Sequence, residues 1–544
     1  PGSLRVRDAL GFAPFVANRA PAHLEGIHMK VPLTINDFLD RAVAVYPDRL
    51  AIVDEPDQPA PPLPDLTYRD LGEHRRAMGA GLDKLGVPMG GRVAMVSHNA
   101  ARLLSAFFGV SGNGRVFVPI NFRLQRDEVD YIVKQSGAEM LLVDPELEST
   151  LSDIEVDRFA VLGQESDALL YDWDGTPQPW TPDEDATASI NYTSGTTARP
   201  KGVQQTHRAR WTNAVTFGWH AAVTDRDVYL HTLPMFHCDG WGMLYTVTGM
   251  GVPHIVLRKV DGMEILRRVE RHGVTLMCAA PAVINAVLDA APSWEGPVPG
   301  RDRVRVIVAG APPPTRTIER VETELGWEFI QIYGLTETAP LVTMNRCRQE
   351  WDDLTPHERA EKLGRAGAPT IGITIDTARD GEVLARGNHI LAGYWDNPES
   401  SADALREADD GEVWFHTGDG GVIDDEGYLA ITDRKKDVII SGGENVSSIE
   451  VEDVIFAHPD VAEVAVIGVP DEKWGETVIA LVLPTPGAEL TEQDVIDHCR
   501  QTLAHYKCPT KVEFREELAR TATGKLQKYK LRQPYWEGMD KQIG

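Results

Sequence analysis

The sequence predicts an α/β protein with a large N-terminal domain of helix-covered, mostly parallel sheets and a small α+β C-terminal domain. Helical and strand patterns alternate from residue 34 onward, which is typical of repeated α-then-β units with parallel strands. After about residue 380 the pattern changes to a hairpin and a compact set of short elements. A chain of 544 residues, 42% of them hydrophobic, is also long enough for more than one core.

The alternation in the first part of the chain is regular. In chain order it predicts a helix at 35–46, a strand at 50–55, a helix with Leu71, Met78, Leu82 and Leu85 on one face, a strand at 92–97, a helix at 102–111, a strand at 115–120, a helix at 127–136 and a strand at 138–144. Segment 56–65 is rich in Pro and Asp and is therefore predicted to be a surface loop.

The C-terminal part follows a predicted hairpin at 420–433, whose turn is "DDEG". Its pattern predicts a helix at 448–457, strands at 461–468 and 477–484, a helix at 491–505 and a strand at 511–515. We therefore predict a large domain at 29–432, a connection at 433–437 and a small domain at 438–544. Because Met29 lies just before the first clear helix, residues 1–28 are predicted to be an expression leader or a disordered segment.

Composition excludes several classes of partner. A formal net charge of −28 disfavours nucleic acids and anionic membrane surfaces. None of the five cysteines has C-x-x-C spacing, so neither a zinc site nor a redox pair is predicted, and free thiols fit a cytoplasmic protein. The most apolar segment, 274–291, contains Pro281, Asn285 and Asp289, which favours buried core over stable membrane insertion.

The stretch "INYTSGTTARPKG" (190–202) follows an apolar strand with a run of hydroxyl and glycine residues and then Lys201. Backbone N–H groups, hydroxyls and one cation suit the oxyanions of a polyphosphate. The spacing does not fit the phosphate loop of P-loop NTPases, since five residues separate Gly195 from Lys201 and Pro200 precedes the lysine. The sequence therefore predicts another kind of nucleotide chemistry.

Further stretches carry polar side chains that a fold alone does not require. In "QIYGLTETAP" (331–340), Glu337 follows a strand, where a carboxylate is well placed for a metal or ligand, although Thr-Glu is also typical of a helix cap. In "HTGDGG" (416–421), Asp419 fits a ribose diol but also an ordinary turn. "DRKKDVIISGGEN" (433–445) places three basic residues at the predicted domain boundary, where a solvated charge run is the alternative. "TATGK" ends in Lys525, which would otherwise be a surface lysine.

Taken together, these stretches resemble the motifs of the adenylate-forming (AMP-binding) superfamily, which includes acyl-CoA synthetases, adenylation domains and firefly luciferase. The resemblance runs from about residue 34 to 535 in the motif order of that superfamily, with "YTSGTTARPKG", "LPMFHCDGW", "YGLTE", "HTGD", "DRKKDVIISGGENV" and "TATGK". "HCDGWG" and "LRKVD…VTLMCAAPAVINAVL" are most similar to the branch that makes CoA thioesters of medium-chain, branched or aromatic acids.

The resemblance implies a role for each motif residue. The ATP phosphates would be held by Thr193, Ser194, Gly195, Thr196, Thr197 and Lys201, and Mg²⁺ by Glu337 with Thr336 beside it. Adenine and ribose would be held by Gly310, Ala311, Pro312, Gln331, Tyr333, Asp419 and Arg434. Lys525 would be catalytic, His237 would be a gate to the thiol, and the hinge and CoA contacts would be Lys435, Lys436, Ser441, Gly442 and Gly443. The acyl pocket would include Trp241, Gly242, Ala279, Ala280 and Gly334.

The implied reaction has two steps, with a mobile small domain that rotates between them. The carboxylate of an acid attacks ATP to give an acyl-AMP, and the coenzyme A thiol then displaces AMP. An alternative acceptor is the phosphopantetheine thiol of a carrier protein, and a third hypothesis is an inactive nucleotide-binding protein. The inactive protein would be expected to have lost Lys201, Glu337 or Lys525, all of which are present. His237 argues against an amino-acid substrate, while Asp239 is either a turn residue beside Gly240 or a contact for a polar substrate group.

Overall fold

The computed structural model describes residues 29–193, 199–408, 411–434, 437–442, 444–471, 473–520 and 526–537. The predicted leader, residues 1–28, lies outside the described residues. Residues 33–544 form one compact unit, and the described residues before it, 29–32, contain no helix or strand.

Helices cover the sheets along the whole chain. They are α1 Asn36–Val45, α2 Tyr68–Lys84, α3 Ala101–Ser111, α4 Arg126–Ser136, α5 Glu148–Leu151, α6 Gln164–Leu170, α7 His207–His220, α8 Cys238–Trp241, α9 Met243–Gly249, α10 Gly262–His272, α11 Pro281–Ala290, α12 Thr315–Arg320, α13 Pro356–Leu363, α14 Pro398–Ala404, α15 Ser448–Phe456, α16 Glu492–Thr502 and α17 Lys528–Trp536.

Among the described residues, the strands form four sheets. They are β1 Leu50–Val53, β2 Leu66–Thr67, β3 Arg92–Val96, β4 Val116–Ile120, β5 Met140–Val143, β6 Arg158–Val161, β7 Thr187–Tyr192, β8 Gly202–Thr206, β9 Tyr229–His231, β10 His254–Val256, β11 Leu276–Ala279, β12 Arg305–Val308, β13 Glu328–Gly334, β14 Leu341–Asn345, β15 Ala368–Pro369, β16 Ile373–Thr377, β17 Glu382–Gly387, β18 Gly393–Tyr394, β19 Leu405–Glu407, β20 Val413–Ile423, β21 Leu429–Arg434, β22 Ile439–Ser441, β23 Glu444–Val446, β24 Val461–Asp471, β25 Gly475–Pro484 and β26 Lys511–Phe514.

The two large sheets confirm the prediction of a mostly parallel α/β domain. One has nine strands in the order β15-β14-β13-β12-β11-β9-β10-β1-β2, and its central strands from β13 to β1 run parallel. The other has seven strands in the order β18-β8-β7-β4-β3-β5-β6, parallel from β7 to β6. A third, five-stranded sheet is antiparallel and contains the predicted hairpin as β20 and β21.

Burial explains why the first predicted elements formed where the pattern placed them. Every residue of β4 and every residue of α3 is buried, as expected for a parallel strand and a helix enclosed on all sides. One apolar cluster joins Ile52 and Val256 of the nine-stranded sheet to Val93 and Phe117 of the seven-stranded sheet. Both sheets therefore share a core.

The small domain is an α+β unit, as predicted. Strands β24 and β25 pair as a long antiparallel ladder, β22 and β23 extend the sheet, and β26 adds to it in parallel. Across the proposed boundary, the Asp433 carboxylate accepts hydrogen bonds from the backbone N–H (2.8 Å) and hydroxyl (2.6 Å) of Ser448. Asp453 in turn accepts hydrogen bonds from the backbone N–H (2.9 Å) and hydroxyl (3.0 Å) of Thr315 in the large domain.

Burial of His389 is expected to make the stability of the large domain depend on pH. Burial lowers the pKa of His389 to about 4, whereas an unfolded histidine titrates near 6.5. The unfolded chain therefore binds the proton first, and the stability due to neutral His389 is present above pH 6.5 and lost as the pH falls toward 4. The loss is on the order of 3 kcal/mol once both states are protonated.

We expect His389→Leu to weaken the dependence of stability on pH between 6.5 and 4. The measurement is the urea midpoint of unfolding at several pH values, followed by a signal from the large domain. His505→Leu, at an exposed position, is the control and should keep the wild-type dependence. An identical pH dependence in His389→Leu and wild type would contradict the prediction.

Candidate active site

Residues predicted to bind ATP phosphates lie between two paired strands. Strand β7 ends at Tyr192, β8 begins at Gly202, and the backbone N–H of Thr193 donates to the carbonyl of Lys201 at 3.0 Å. The predicted loop is therefore closed at its base by the β7–β8 ladder. Ser194, Gly195, Thr196 and Thr197 lie outside the described residues.

Tyr394 contacts both the predicted metal residue Glu337 and the predicted phosphate residue Lys201. Its hydroxyl donates to Oε1 of Glu337 at 2.9 Å, and Nζ of Lys201 lies 4.9 Å from the centre of its ring. Burial, with Glu337 as the next cause, raises the pKa of Tyr394, so the hydroxyl remains a donor at neutral pH. Tyr394 was not predicted from the sequence, although "GYW" (393–395) places an aromatic hydroxyl in a short strand that pairs with β8.

The donor set around Glu337 fits Mg²⁺. Mg²⁺ is commonly held by one or two carboxylates together with substrate phosphates and water. Thr336 lies next to Glu337, and its backbone carbonyl accepts from the side-chain amide of Gln205 at 2.7 Å. Within the described residues there is no group of three or more His, Cys, Asp or Glu side chains placed to hold a metal on its own. A metal at this position would thus depend on phosphate oxygens.

Three residues predicted to hold the nucleoside converge. Asp419 on β20 lies opposite Arg434 on β21, with 3.7 Å between Oδ1 of Asp419 and Nε of Arg434. The Tyr333 hydroxyl donates to Oδ2 of the same carboxylate at 2.8 Å. Burial, and then the nearby Asp419, raises the pKa of Tyr333 well above its ordinary value. This geometry holds Asp419 in one orientation.

The other predicted adenine residues differ in accessibility. Gly310, Ala311 and Pro312 follow β12 and are exposed. Gln331 lies on the neighbouring strand β13 and is buried, and its Oε1 has no hydrogen-bond partner within the described residues. Loops after adjacent parallel strands meet at one edge of a sheet, which brings residues 310–312 and 333–337 near one another.

The predicted gate contains an unusual backbone. His237 is half-buried, and each residue from 238 to 242 has a positive φ, between 51° and 76°. We call residues 238–242 the gate turn. The segment numbered α8, Cys238–Trp241, thus has left-handed backbone angles and is a turn and not a right-handed helix. Each non-glycine residue in this region costs roughly 1–2 kcal/mol relative to the right-handed form. Three of the five are not glycine, so the surrounding structure must hold the turn in place.

Asp239 is a turn residue, but its carboxylate has a larger structural role than the sequence indicated. Nε of Arg210 lies 2.9 Å from its Oδ2, and both side chains are 0% exposed. Ser189 donates to Oδ2 at 2.7 Å and Asn191 donates to Oδ1 at 2.9 Å. The carboxylate is therefore paired within the protein. Arg210 has no sequence signal of this role, because its partner is 29 positions away in another element.

The small residues predicted to line the acyl pocket are small for packing reasons at two positions. A Cβ on Gly334 would lie 1.6 Å from the Pro340 carbonyl oxygen, and one on Gly242 would lie 2.3 Å from Nδ2 of Asn213. Trp241 and Ala279 are buried in apolar clusters, while Ala280 is half-buried before α11. Trp241 of the gate turn packs in one apolar cluster with Cys278 of β11 and Ile307 of β12.

The predicted hinge and CoA residues are only partly described. Ser441 ends β22 and pairs with Gly475, and Gly442 has φ +61° beside the ring of Trp474. Lys435, Lys436, Gly443 and the predicted catalytic Lys525 lie outside the described residues.

The chain belongs to the AMP-binding enzyme family, which matches residues 39–395, and the C-terminal domain of AMP-binding enzymes matches residues 450–525. The predicted resemblance is confirmed. Among curated relatives, 2-methylpropanoate–CoA ligase CCL4 of Humulus lupulus is 35% identical over 92% of this chain and 95% of its own length. 4-Hydroxybutyrate–CoA ligase 2 of Metallosphaera sedula is 35% identical over 91% and 93%. The peroxisomal trans-cinnamate:CoA ligase of Petunia hybrida is 33% identical over 92% and 94%.

Solved structures of CoA ligases are similar to this chain over most of its length. The anthranilate CoA ligase AuaEII in complex with anthranoyl-AMP has a TM-score of 0.81 and 26% identity, covering 93% of this chain and 99% of that chain. O-succinylbenzoate coenzyme A synthetase of Bacillus subtilis, in complex with ATP and magnesium ion, has a TM-score of 0.75 and 28% identity, covering 91% and 99%. The chain is an AMP-forming acid–CoA ligase, a class that works through an acyl-adenylate and takes ATP, Mg²⁺ and coenzyme A.

No helix within the described ranges is long and apolar enough to cross a membrane.

We expect Tyr394→Phe to lower kcat/KM for ATP by about tenfold, because a hydrogen bond to a charged group contributes roughly 1.5–3 kcal/mol. The assay is acyl-AMP formation at varied ATP and Mg²⁺ concentrations. Tyr68→Phe is the matched control. It also removes a buried hydroxyl, but that hydroxyl donates to the backbone carbonyl of Val252, just before β10, and not to a predicted site residue. Equal activity per folded enzyme in the two variants would contradict a role for Tyr394 in the site.

Proposed function

We propose that this enzyme joins coenzyme A to a hydrophobic carboxylic acid that is medium-chain, branched, aromatic or bulky. The observation that carries the proposal is the pairing of Asp239 with Arg210 inside the protein. A carboxylate beside the gate would otherwise favour a polar or cationic acid, but here it is already neutralised. The gate-turn residues Cys238 and Trp241 pack in an apolar cluster with Cys278 of β11. Relatives named for 2-methylpropanoate and trans-cinnamate support the same class of acid, whereas an equally similar relative is named for the hydroxylated acid 4-hydroxybutyrate.

In the first step, both reactants are anions, so the site must supply positive charge and alignment. Residues 193–201, with Lys201, hold the β- and γ-phosphates and the departing pyrophosphate. Glu337, oriented by Tyr394, would hold Mg²⁺, which supplies charge neutralisation to the phosphate oxygens when bound. Asp419, held by Tyr333 and Arg434, accepts the ribose hydroxyls, while residues 310–312 and Gln331 enclose the adenine.

Lys525 reaches the acid carboxylate and the α-phosphate from the small domain. The carboxylate oxygen attacks the α-phosphorus in line, the bond to the bridging oxygen breaks, and pyrophosphate leaves. In the second step the coenzyme A sulfur loses its proton to solvent and attacks the acyl carbon, the bond from that carbon to the AMP oxygen breaks, and AMP leaves with this oxygen of the original carboxylate. His237 lies at the gate between acid and thiol.

The small domain, residues 438–544, rotates on the hinge at 433–437 between the two steps. Lys525 then leaves the site, and the face carrying Ser441, Gly442 and Gly443 enters it. Lys435 or Lys436 would meet the phosphates of coenzyme A. The hydrogen bond from Thr315 to Asp453 joins the large and small domains in the present arrangement, so this contact breaks on rotation, whereas Asp433, which accepts from Ser448, lies in the hinge itself.

We expect Lys525→Ala to slow acyl-AMP formation by a hundredfold or more while ATP binding is retained, since removal of one oxyanion-stabilising group typically costs roughly 3–4 kcal/mol. Single-turnover mass spectrometry measures the rate, and calorimetry measures ATP binding. Lys530→Ala, an exposed lysine on α17, is the control and should behave as wild type. An unchanged rate of acyl-AMP formation in Lys525→Ala would contradict the assignment.

The acid class is tested with purified enzyme, ATP, Mg²⁺ and a panel of short, medium-chain, branched, aromatic, polycyclic and polar acids, with and without coenzyme A. We expect acyl-AMP from apolar acids, converted to acyl-CoA when coenzyme A is added. Acyl-AMP that persists with coenzyme A would favour a carrier-protein thiol as acceptor. A preference for polar or cationic acids would overturn the proposed class.

A further inference from the structure

Arg210 lies at a junction of three segments that carry proposed substrate contacts. It is on the first part of α7, the helix that follows the phosphate-loop hairpin, and its side chain is fully buried. Besides the ion pair with Asp239, its Nη1 donates to the carbonyl of Cys238 at 3.2 Å and to the carbonyl of Ala339 at 3.3 Å. Its Nη2 donates to the side chains of Ser189 (3.3 Å) and Asn191 on β7.

Each of these contacts lies close in sequence to a proposed site residue. Asn191 precedes the phosphate-binding stretch, Cys238 follows His237, and Ala339 follows Glu337. A guanidinium can serve several acceptors at once because its five N–H groups are fixed in one plane, whereas an ammonium cannot reproduce that geometry. Arg210 therefore links the ends of the phosphate, gate and metal segments through a single rigid group.

A second side chain on the same face of α7 makes a similar bridge. Asn213, three positions further along, donates to the carbonyl of Trp241 at 3.1 Å and accepts from the backbone N–H of Leu341 at 3.1 Å. Arg210 and Asn213 therefore each form hydrogen bonds to both the gate turn and the segment just after Glu337. A contact from the Cys238 thiol to the Thr336 hydroxyl, at 3.2 Å, adds a direct connection.

We propose that Arg210, paired with Asp239, is a positioning residue that holds the gate turn in its left-handed form and so fixes the gate relative to the phosphate and metal segments. The left-handed backbone at Cys238, Asp239 and Trp241 is unfavourable by itself and persists only while these contacts hold it. Loss of the forked contacts lets the turn relax, which displaces His237 and the acid from the line of attack on the α-phosphate. This inference rests on the proposed function for its catalytic consequence, but not for its structural one.

Arg210→Lys is the primary variant. It keeps the charge that compensates Asp239 and removes the simultaneous contacts to Cys238 and Ala339. The double variant Arg210→Gln/Asp239→Asn is the second, since it buries no unpaired charge. The matched control is Arg268→Lys, because Arg268 is also a buried arginine that contacts a buried carboxylate (Glu55) and a backbone carbonyl (Val256), away from the gate turn.

The structural readout needs no substrate. Native protein is treated with a thiol reagent, and the labelling rate of each cysteine is followed by peptide mass spectrometry. Cys238 lies in the gate turn, and Cys278 is a fully buried cysteine on β11 that reports wider unfolding. We expect Arg210→Lys to label Cys238 at least tenfold faster with the Cys278 rate unchanged, while Arg268→Lys leaves both rates at their wild-type ratio. Equal acceleration of both cysteines, or no acceleration, would overturn the proposal.

The catalytic readout is acyl-AMP formation by the same variants, per folded enzyme. If the acid is misaligned but ATP still binds, kcat of Arg210→Lys should fall at least tenfold while its KM for ATP stays within about twofold. Arg268→Lys should keep the wild-type kcat and KM. If wild-type enzyme makes no acyl-AMP from any acid, the proposed function fails, and cysteine labelling still decides whether Arg210 holds the turn. If wild type is active and Arg210→Lys matches its kcat, the positioning role fails.

Discussion

The structure depends on one constraint: its central parallel strands are buried on both faces. Such strands can present polar side chains to a ligand only where they end, and the carboxyl ends of neighbouring parallel strands meet at one edge of a sheet. In the nine-stranded sheet, the segment after β12 starts at Ala309 and the segment after β13 starts at Leu335. Residues at these ends can therefore act on one substrate although they are far apart in sequence.

The site is organised by side chains that connect strand ends. Tyr394 contacts both Lys201, through its ring, and Glu337, through its hydroxyl. Tyr333 donates to Asp419, which lies opposite Arg434. Arg210 adds a buried charge that is paired with Asp239 and donates to Cys238, Ala339, Ser189 and Asn191. Buried polar networks that are satisfied in this way make a core more rigid. Polar contacts of this kind hold loops that apolar packing alone would leave free to move.

Sequence periodicity predicted much of the fold for identifiable reasons. The elements from α1 to β5 were correctly placed, apart from the two-residue strand β2, because β1, β4 and β5 are apolar throughout, β3 is apolar after Arg92, and the helices carry apolar residues at helical spacing. The pairing of β8 with β18, which are almost two hundred residues apart, has no local signal, and neither does the pairing of β17 with β20, although the hairpin of β20 and β21 was predicted from its turn. Strand partners are chosen by tertiary packing, which a periodic pattern does not encode.

The sequence by itself determined the family, the reaction class and the candidate residues for ATP and metal, because these lie in contiguous motifs whose residue types match their chemistry. The tertiary structure alone decided that Tyr394 supports Glu337, that Asp239 is neutralised by Arg210, and that Gly334 is small because a carbonyl oxygen approaches it. Each of these depends on two segments that are distant in sequence and meet only after folding. A motif names the residue that touches a ligand, but the group that orients it is supplied by whichever element packs beside it.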